Sequence, residues 1–138
     1  MDQMIEFATN HWELFAALIA TLGLLLFTES RKGGTALSTH AAVKLINKED
    51  AAVVDIRAKK DFKSGHITDS VNIPLADLQR RVGELEKFRN KPIIIVCNLG
   101  QTASAAVKLL NNEKFENVTR LSGGITEWKG QNLPVVKK

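Results

Sequence analysis

Hydrophobic and polar positions follow two different patterns along this chain, one before residue 30 and one after it. From Leu14 to Thr28 the stretch "LFAALIATLGLLLFT" carries no charge. Its apolar residues would cover every face of a helix, which a soluble amphipathic helix does not do. That run alone is shorter than the roughly 20 residues a bilayer-spanning helix needs. Extended back to Phe7 it reaches about 22 residues, or about 33 Å at 1.5 Å per residue, enough to span. The pattern therefore predicts one transmembrane helix over about residues 7–28, with Trp12 as an interfacial anchor. A cleavable leader is the rival reading. It wants a basic start and small residues at a cleavage site, whereas this start is acidic and "TESRKGG" has no such pattern.

Beyond residue 30 the periods change. Ser38 is placed to cap a helix running to about Asn47, with Ala42, Leu45 and Ile46 on its inner face. "AAVVDI" (51–56), "SVNIPL" (70–75), Ile93 to Val96 and "NVTRL" (117–121) read as short strands. Between the second and third of these, Leu75, Leu78, Val82 and Leu85 make the stripe of an amphipathic helix, weakened by Gly83. Ala103, Ala106, Val107 and Leu110 mark a second helix, and "GGITEWKG" a short closing one. Strand and helix alternate, so the expected class is α/β: a central parallel sheet flanked by helices on both faces. The organisation predicted is an N-terminal segment over 1–30, a linker over 31–36 and a domain over 37–136.

Charge sharpens this division. Residues 1–30 contain Asp2, Glu6, Glu13 and Glu29 but no Lys or Arg, so all 19 basic side chains and only 11 of the 15 acidic ones lie beyond. Such a surplus favours anionic substrates or lipid heads. No dense basic run is interleaved with aromatics, so nucleic acid is not an expected partner. Arg31 and Lys32 follow the apolar span and nothing basic precedes it. The positive-inside rule then puts the C-terminal domain in the cytoplasm and the N-terminus outside; the anchor is expected in the inner, cytoplasmic membrane.

The single cysteine, Cys97, excludes an intramolecular disulfide and a Cys-rich zinc site; no metal is expected. It stands where a buried strand ends and a helix begins, at the carboxyl edge where α/β sheets bind ligands. Gly100 permits the sharp turn that this requires. The amides of residues 98–102 would then form an anion-binding nest, reinforced by the positive end of the following helix. The Cys97 sulfur would sit in it as the nucleophilic thiolate. Thr102 would add its hydroxyl to the cradle or cap the helix. The plain alternative is a small buried hydrophobe at a strand end.

At this point three motifs resemble one family. The loop "CNLGQT" resembles the active-site loop of rhodaneses. "VVDIRAKKDFKSGHITDSVNIP" (53–74) is similar to that family's upstream signature of Asp-x-Arg, an aromatic, Gly-His-Ile and an Asn. "LSGGITEWKGQNLPVV" (121–136) is similar to its closing Gly-Gly and Trp signature. Together they cover nearly all of residues 36–136, in an arrangement similar to bacterial single-domain rhodaneses with an N-terminal membrane anchor. The resemblance implies sulfurtransfer without a cofactor. Cys97 would take sulfane sulfur from a small-molecule or protein donor, hold it as a persulfide, and pass it to a thiol acceptor. Asn98, Leu99, Gly100, Gln101 and Thr102 would form the substrate-binding loop. Many family members carry a basic residue in or after that loop, whereas here all are neutral, which points from thiosulfate toward a persulfide donor.

Other residues have two readings each. Asp55 and Arg57 are candidate supporting residues, as substrate binders or as an ion pair pinning neighbouring loops. His66 is a proton shuttle or a turn histidine bonded to backbone. Gly123 and Gly124 most simply supply the turn before a helix, and Trp128 reads as core. Lys59, Lys60 and Lys63 form a solvated face or touch anionic lipid. For the whole chain the alternative to an enzyme is a binding module whose cleft recruits a membrane-protein partner. A phosphatase-like enzyme is disfavoured, since such loops in relatives are a residue longer and end in arginine.

Overall fold

Residues 1–32 and 34–137 are described by the computed structural model, and the chain divides into two units, Met1–Arg31 and Lys32–Lys138. In the first, α1 (Asp2–Asn10) and α2 (Trp12–Lys32) are separated at His11. Asp2–Asn10 and Trp12–Thr28 are bent from one another by 75°. The single helix expected over residues 7–28 is therefore two helices. Thr9, Asn10 and His11 are all weak helix formers, and Thr9 Oγ1 turns back to donate to the Glu6 carbonyl at 2.9 Å. The helix restarts when the Leu14 N–H bonds the His11 carbonyl at 3.0 Å. Leu14, Leu18, Ile19, Leu22, Leu25 and Phe27 are exposed on α2. No single helix among the described residues is long and apolar enough to cross a membrane; the bent pair meets length and composition only when taken together.

The second unit holds β1 (Thr35–Leu37), α3 (Thr39–Glu49), β2 (Ala52–Asp55), α4 (Lys59–Ser64), β3 (Val71–Asn72) and α5 (Leu75–Arg81). A 3-10 helix (Val82–Phe88), β4 (Ile93–Val96), α6 (Ala103–Asn112), β5 (Val118–Leu121) and α7 (Gly124–Gly130) follow. The five strands form one sheet in the order β1-β5-β4-β2-β3, every pair parallel.

Sequence dictates most of these boundaries. Ser38 accepts the Ala41 N–H at 3.1 Å and starts α3. The stripe from Leu75 to Leu85 does not form one helix, because α5 tightens into the 3-10 turn at Val82. Gly83 adds no packing there and costs about 1 kcal/mol in a helix interior, while Leu78 and Leu85 still reach the core. The linker expected over 31–36 is mostly ordered structure. Arg31 and Lys32 continue α2, and Thr35 and Ala36 enter edge strand β1 beside β5; Gly33 lies outside the described residues.

Strand β4 has both faces covered, as its unbroken Ile-Ile-Ile-Val requires. Ile93 and Ile95 join Leu78, Leu85, Val107 and Leu110 on the face under α5 and α6. Ile94 and Val96 join Ala42, Leu121, Ile125 and Trp128 on the other. Each such side chain contributes about 1.5–3 kcal/mol by leaving water. The site stands on this doubly packed strand.

Candidate active site

Cys97 follows the last residue of β4, and its side chain falls on the same face as Ile93 and Ile95. It is only 3% exposed, yet it lines a cleft of about 290 Å³ with Ile56, Arg57, Leu75, Asn98, Leu99, Gln101 and Thr102. Cys97 is therefore both a core residue and the floor of an opening. The Gly100 N–H donates to its Sγ at 2.9 Å. Gly100 has φ +88°, and an added Cβ would press on the Gly123 amide nitrogen at 3.0 Å and the Leu121 carbonyl at 3.2 Å. The turn thus needs glycine for its conformation and for its neighbours.

Of the amides of 98–102 expected to converge on the sulfur, that of Gly100 does so. Among the described residues no other loop amide hydrogen-bonds the sulfur. Thr102 occupies the N-cap position of α6 but makes no side-chain capping bond, because it already has helical angles, φ −78° and ψ −15°. Asn98, Leu99, Gln101 and Thr102 are exposed around the rim, Leu99 at 59%.

What aims the loop is a feature the motif pattern alone did not reveal. The amides of Ile125 and Thr126, at the start of α7, donate to the carbonyls of Cys97 at 2.8 Å and Asn98 at 3.1 Å. Gly123 and Gly124 both have positive φ, +72° and +61°. A Cβ on Gly124 would collide with the Cys97 carbonyl oxygen and approach Asn98 C and O at 2.7 Å. The double glycine therefore does more than turn the chain. It lets a helix start lie against the cysteine loop and hold the carbonyls of Cys97 and Asn98. Its signal in the sequence was the pair of adjacent glycines before a Trp-bearing helix.

The upstream signature forms a buried ion pair beside the cleft. Asp55 (1% exposed) and Arg57 (6%) are buried together, with Arg57 Nη2 2.8 Å from Asp55 Oδ2. Arg57 Nε donates to both carboxylate oxygens, and Nη2 also reaches the Gly65 carbonyl at 2.8 Å. Asn72 Nδ2 donates to the carbonyls of Asp55 and Arg57, each at 3.0 Å. These contacts tie the loops after β2 and before β3 into one wall of the cleft. Arg57 reaches that wall with its charge already matched by Asp55. His66 is 3% exposed and stacks on Phe62 at 3.7 Å; its Nδ1 lies 2.7 Å from the Phe62 carbonyl. It is the turn histidine bonded to backbone and lines no part of the cleft. Trp128 is core, its Nε1 donating to the Pro134 carbonyl at 3.0 Å.

A second hollow, about 230 Å³, lies over Val43, Ile46, Ile67, Trp128 and Leu133. Its lining is mainly apolar, with Asn47 and Thr68 as its polar side chains, and holds no thiol or charged group. Among the described residues no cluster of His, Cys, Asp or Glu could hold a metal ion.

Residues 38–131 match the family described as the rhodanese-like domain. The chain belongs to that family. It is 36% identical over 141 residues to an uncharacterized protein of Escherichia coli, YibN, covering 99% of both chains. It is 33% identical over 93 residues to the thiosulfate sulfurtransferase GlpE of Pseudoalteromonas translucida, covering 67% of this chain and 87% of that one. Among solved structures it is similar to a rhodanese-related protein of Thermoplasma volcanium, with TM-score 0.65 and 27% identity over 75% of this chain and 99% of that one. Rhodanese-like folding, and kinship with sulfurtransferases, thus cover the second unit; likeness to YibN runs through the N-terminal helices as well.

Proposed function

We propose that the chain is a sulfurtransferase that carries sulfane sulfur on Cys97. The observation that supports this best is the lone thiol at the end of the central strand, on the floor of an open cleft, with the Gly100 amide on its sulfur. The Cys97 thiolate attacks the outer sulfur of a donor R–S–SH; the donor S–S bond breaks, R–S⁻ leaves, and Cys97–S–SH forms. An acceptor thiolate then attacks that outer sulfur, leaving with it as a new persulfide and returning Cys97 as thiolate. No net oxidation occurs. Asn98, Leu99, Gln101 and Thr102 form the rim against which donor and acceptor dock. Gly100 stabilises negative charge on either sulfur, as an amide donor does for an anion. Asp55 and Arg57 act by holding the wall.

The neutral loop and the matched charge of Arg57 leave no unpaired cation among the residues lining the cleft, which favours a persulfide donor, protein or small molecule, over dianionic thiosulfate. The bent helix pair serves in this reading as a single-pass anchor in the cytoplasmic membrane, with residues 37–136 facing the cytoplasm. Intact mass spectrometry after incubation with glutathione persulfide tests the chemistry. A gain of about 32 Da, one sulfur, is expected on the wild type and not on Cys97→Ser, which keeps its fold. A Cys97→Ser variant that still transfers sulfur overturns the mechanism. The burial of Cys97 favours one second reading, a binding module for a membrane-protein partner. A wild type that gains no sulfur from any donor, yet co-purifies with one membrane protein, selects that reading instead.

A further inference from the structure

Among the described residues one buried side-chain nitrogen lacks a hydrogen-bond partner: Nε of Arg120. Buried polar atoms are nearly always satisfied, so an orphan of this kind calls for a reason. Arg120 lies on β5 in register with Ile95 of β4, two positions before the cysteine. Its Nη1 faces the Gly100 carbonyl oxygen at 3.5 Å, the outer limit of a hydrogen bond. Gly100 is the residue whose N–H holds the Cys97 sulfur. The contacts therefore run from a cation through one glycine to the nucleophile, a path of at most about 11 Å.

Other charges around the loop do not fill this place. Residues 97–102 carry none. Arg57, after β2, is matched by Asp55. On α5, Asp77 pairs with Arg80, and Arg81 pairs with Glu84. Lys108 lies well along α6, and Glu127, on α7, is bonded by Gln131.

We propose that Arg120 is a positioning residue for Cys97, steadying the Gly100 peptide and supplying, from the neighbouring strand, the positive charge that the loop itself lacks. The ionised sulfur gains from both. A half-buried guanidinium with an unmet Nε then has a use that core packing alone does not give it. The inference rests on Cys97 acting as a nucleophile. A unit charge at that range near a protein surface changes ionisation by roughly three- to tenfold once partial solvent exposure is allowed for.

The test follows the rate of Cys97 alkylation by iodoacetamide, a neutral reagent that reads the thiolate, from about pH 5 to about pH 10.5. The full chain is used, in mild detergent. In Arg120→Gln the rate near pH 7 falls three- to tenfold and the gap to the wild type closes toward about pH 10.5, past the usual range of thiol ionisation. Arg120→Lys, which keeps the charge, stays within about twofold of wild type. A merely structural loss lowers the rate at all pH values and is not rescued by lysine. Profiles for Arg120→Gln and wild type that overlay, or that stay apart at high pH, overturn the proposal. Should the glutamine variant fail to fold, Arg120→Met, an apolar side chain of similar reach, takes its place. Its rate near pH 7 is expected to fall three- to tenfold and to approach the wild type at high pH, and an unchanged profile overturns the proposal. Alkylation needs no sulfur donor. A wild type that depends on Arg120 here but gains no sulfur keeps this inference and removes sulfurtransfer.

Discussion

Replacing Gly124 by alanine adds one methyl group and should cost a large part of the domain's stability. The residue has φ +61°, and a side chain in the left-handed region costs about 1–2 kcal/mol. The new Cβ would also strike the Cys97 carbonyl oxygen and both Asn98 carbonyl atoms, so the start of α7 must move off the loop. Moving it breaks the bonds from Ile125 and Thr126 to those carbonyls, each worth about 0.5–1.5 kcal/mol net. Together these give a loss of about 2–5 kcal/mol. For a domain near 100 residues, 1 kcal/mol moves Tm by about 4–8 °C, so the expected fall is about 8–40 °C. Gly130, at the far end of the same helix, provides the control: an added Cβ there meets nothing within 4 Å. Gly130→Ala should leave Tm unchanged or raise it slightly. Calorimetry on both variants, with sulfur loading of Cys97 measured alongside, checks the reasoning. Gly124→Ala melting within about 3 °C of wild type would refute the close approach of α7 to the cysteine loop.

The remaining expectations concern other parts of the unit. Asp55→Asn leaves the buried Arg57 guanidinium without its counter-charge, and urea unfolding should show a loss of about 3–5 kcal/mol. Ile95→Ala empties a fully buried position on β4; a loss of about 2–5 kcal/mol is expected by the same measurement, since β4 is packed on both faces and collapses poorly around a cavity. The hydrogen bond from Arg81 holds the Glu84 carboxyl below its usual range, so its stabilising effect is present above about pH 4.5 and lost as pH falls through the lowered value. Glu84→Gln should therefore melt slightly lower than wild type at pH 7, with the difference closing in acid; the exposed, salt-screened position keeps that difference small.

Where a residue's neighbours in the chain dictate its environment, the sequence could be read directly. Ile93 to Val96 had to be a buried strand, and Ser38 had to start a helix. The 3.6-residue spacing of Ala103, Ala106, Val107 and Leu110 had to face a core, and it does. The α/β alternation led to the parallel sheet, and the glycine after Cys97 to the turn beneath the sulfur. Readings failed where local chemistry interrupts a hydropathic run, as at Thr9 to His11, or where partners lie far away in sequence. Thr35 to Leu37 shows no strand pattern by itself; it becomes one because β5 offers a free edge. The six residues of α4, exposed on most sides, gave too short a period to detect. The role of Gly124 at the loop, and that proposed for Arg120 beneath it, depends on contacts across twenty or more positions, which no spacing rule encodes.

The tether between α7 and the cysteine loop also limits how the site can change. Carbonyls 97 and 98 are gripped, so extra length inserted beside them would tear two bonds from a helix start. Length added after Gly100 meets only the longer contact of the Gly100 carbonyl with Arg120, at 3.5 Å. A protein engineer widening this pocket for a tetrahedral oxyanion should therefore extend the far limb, leaving the near limb as the fixed jaw of the vice.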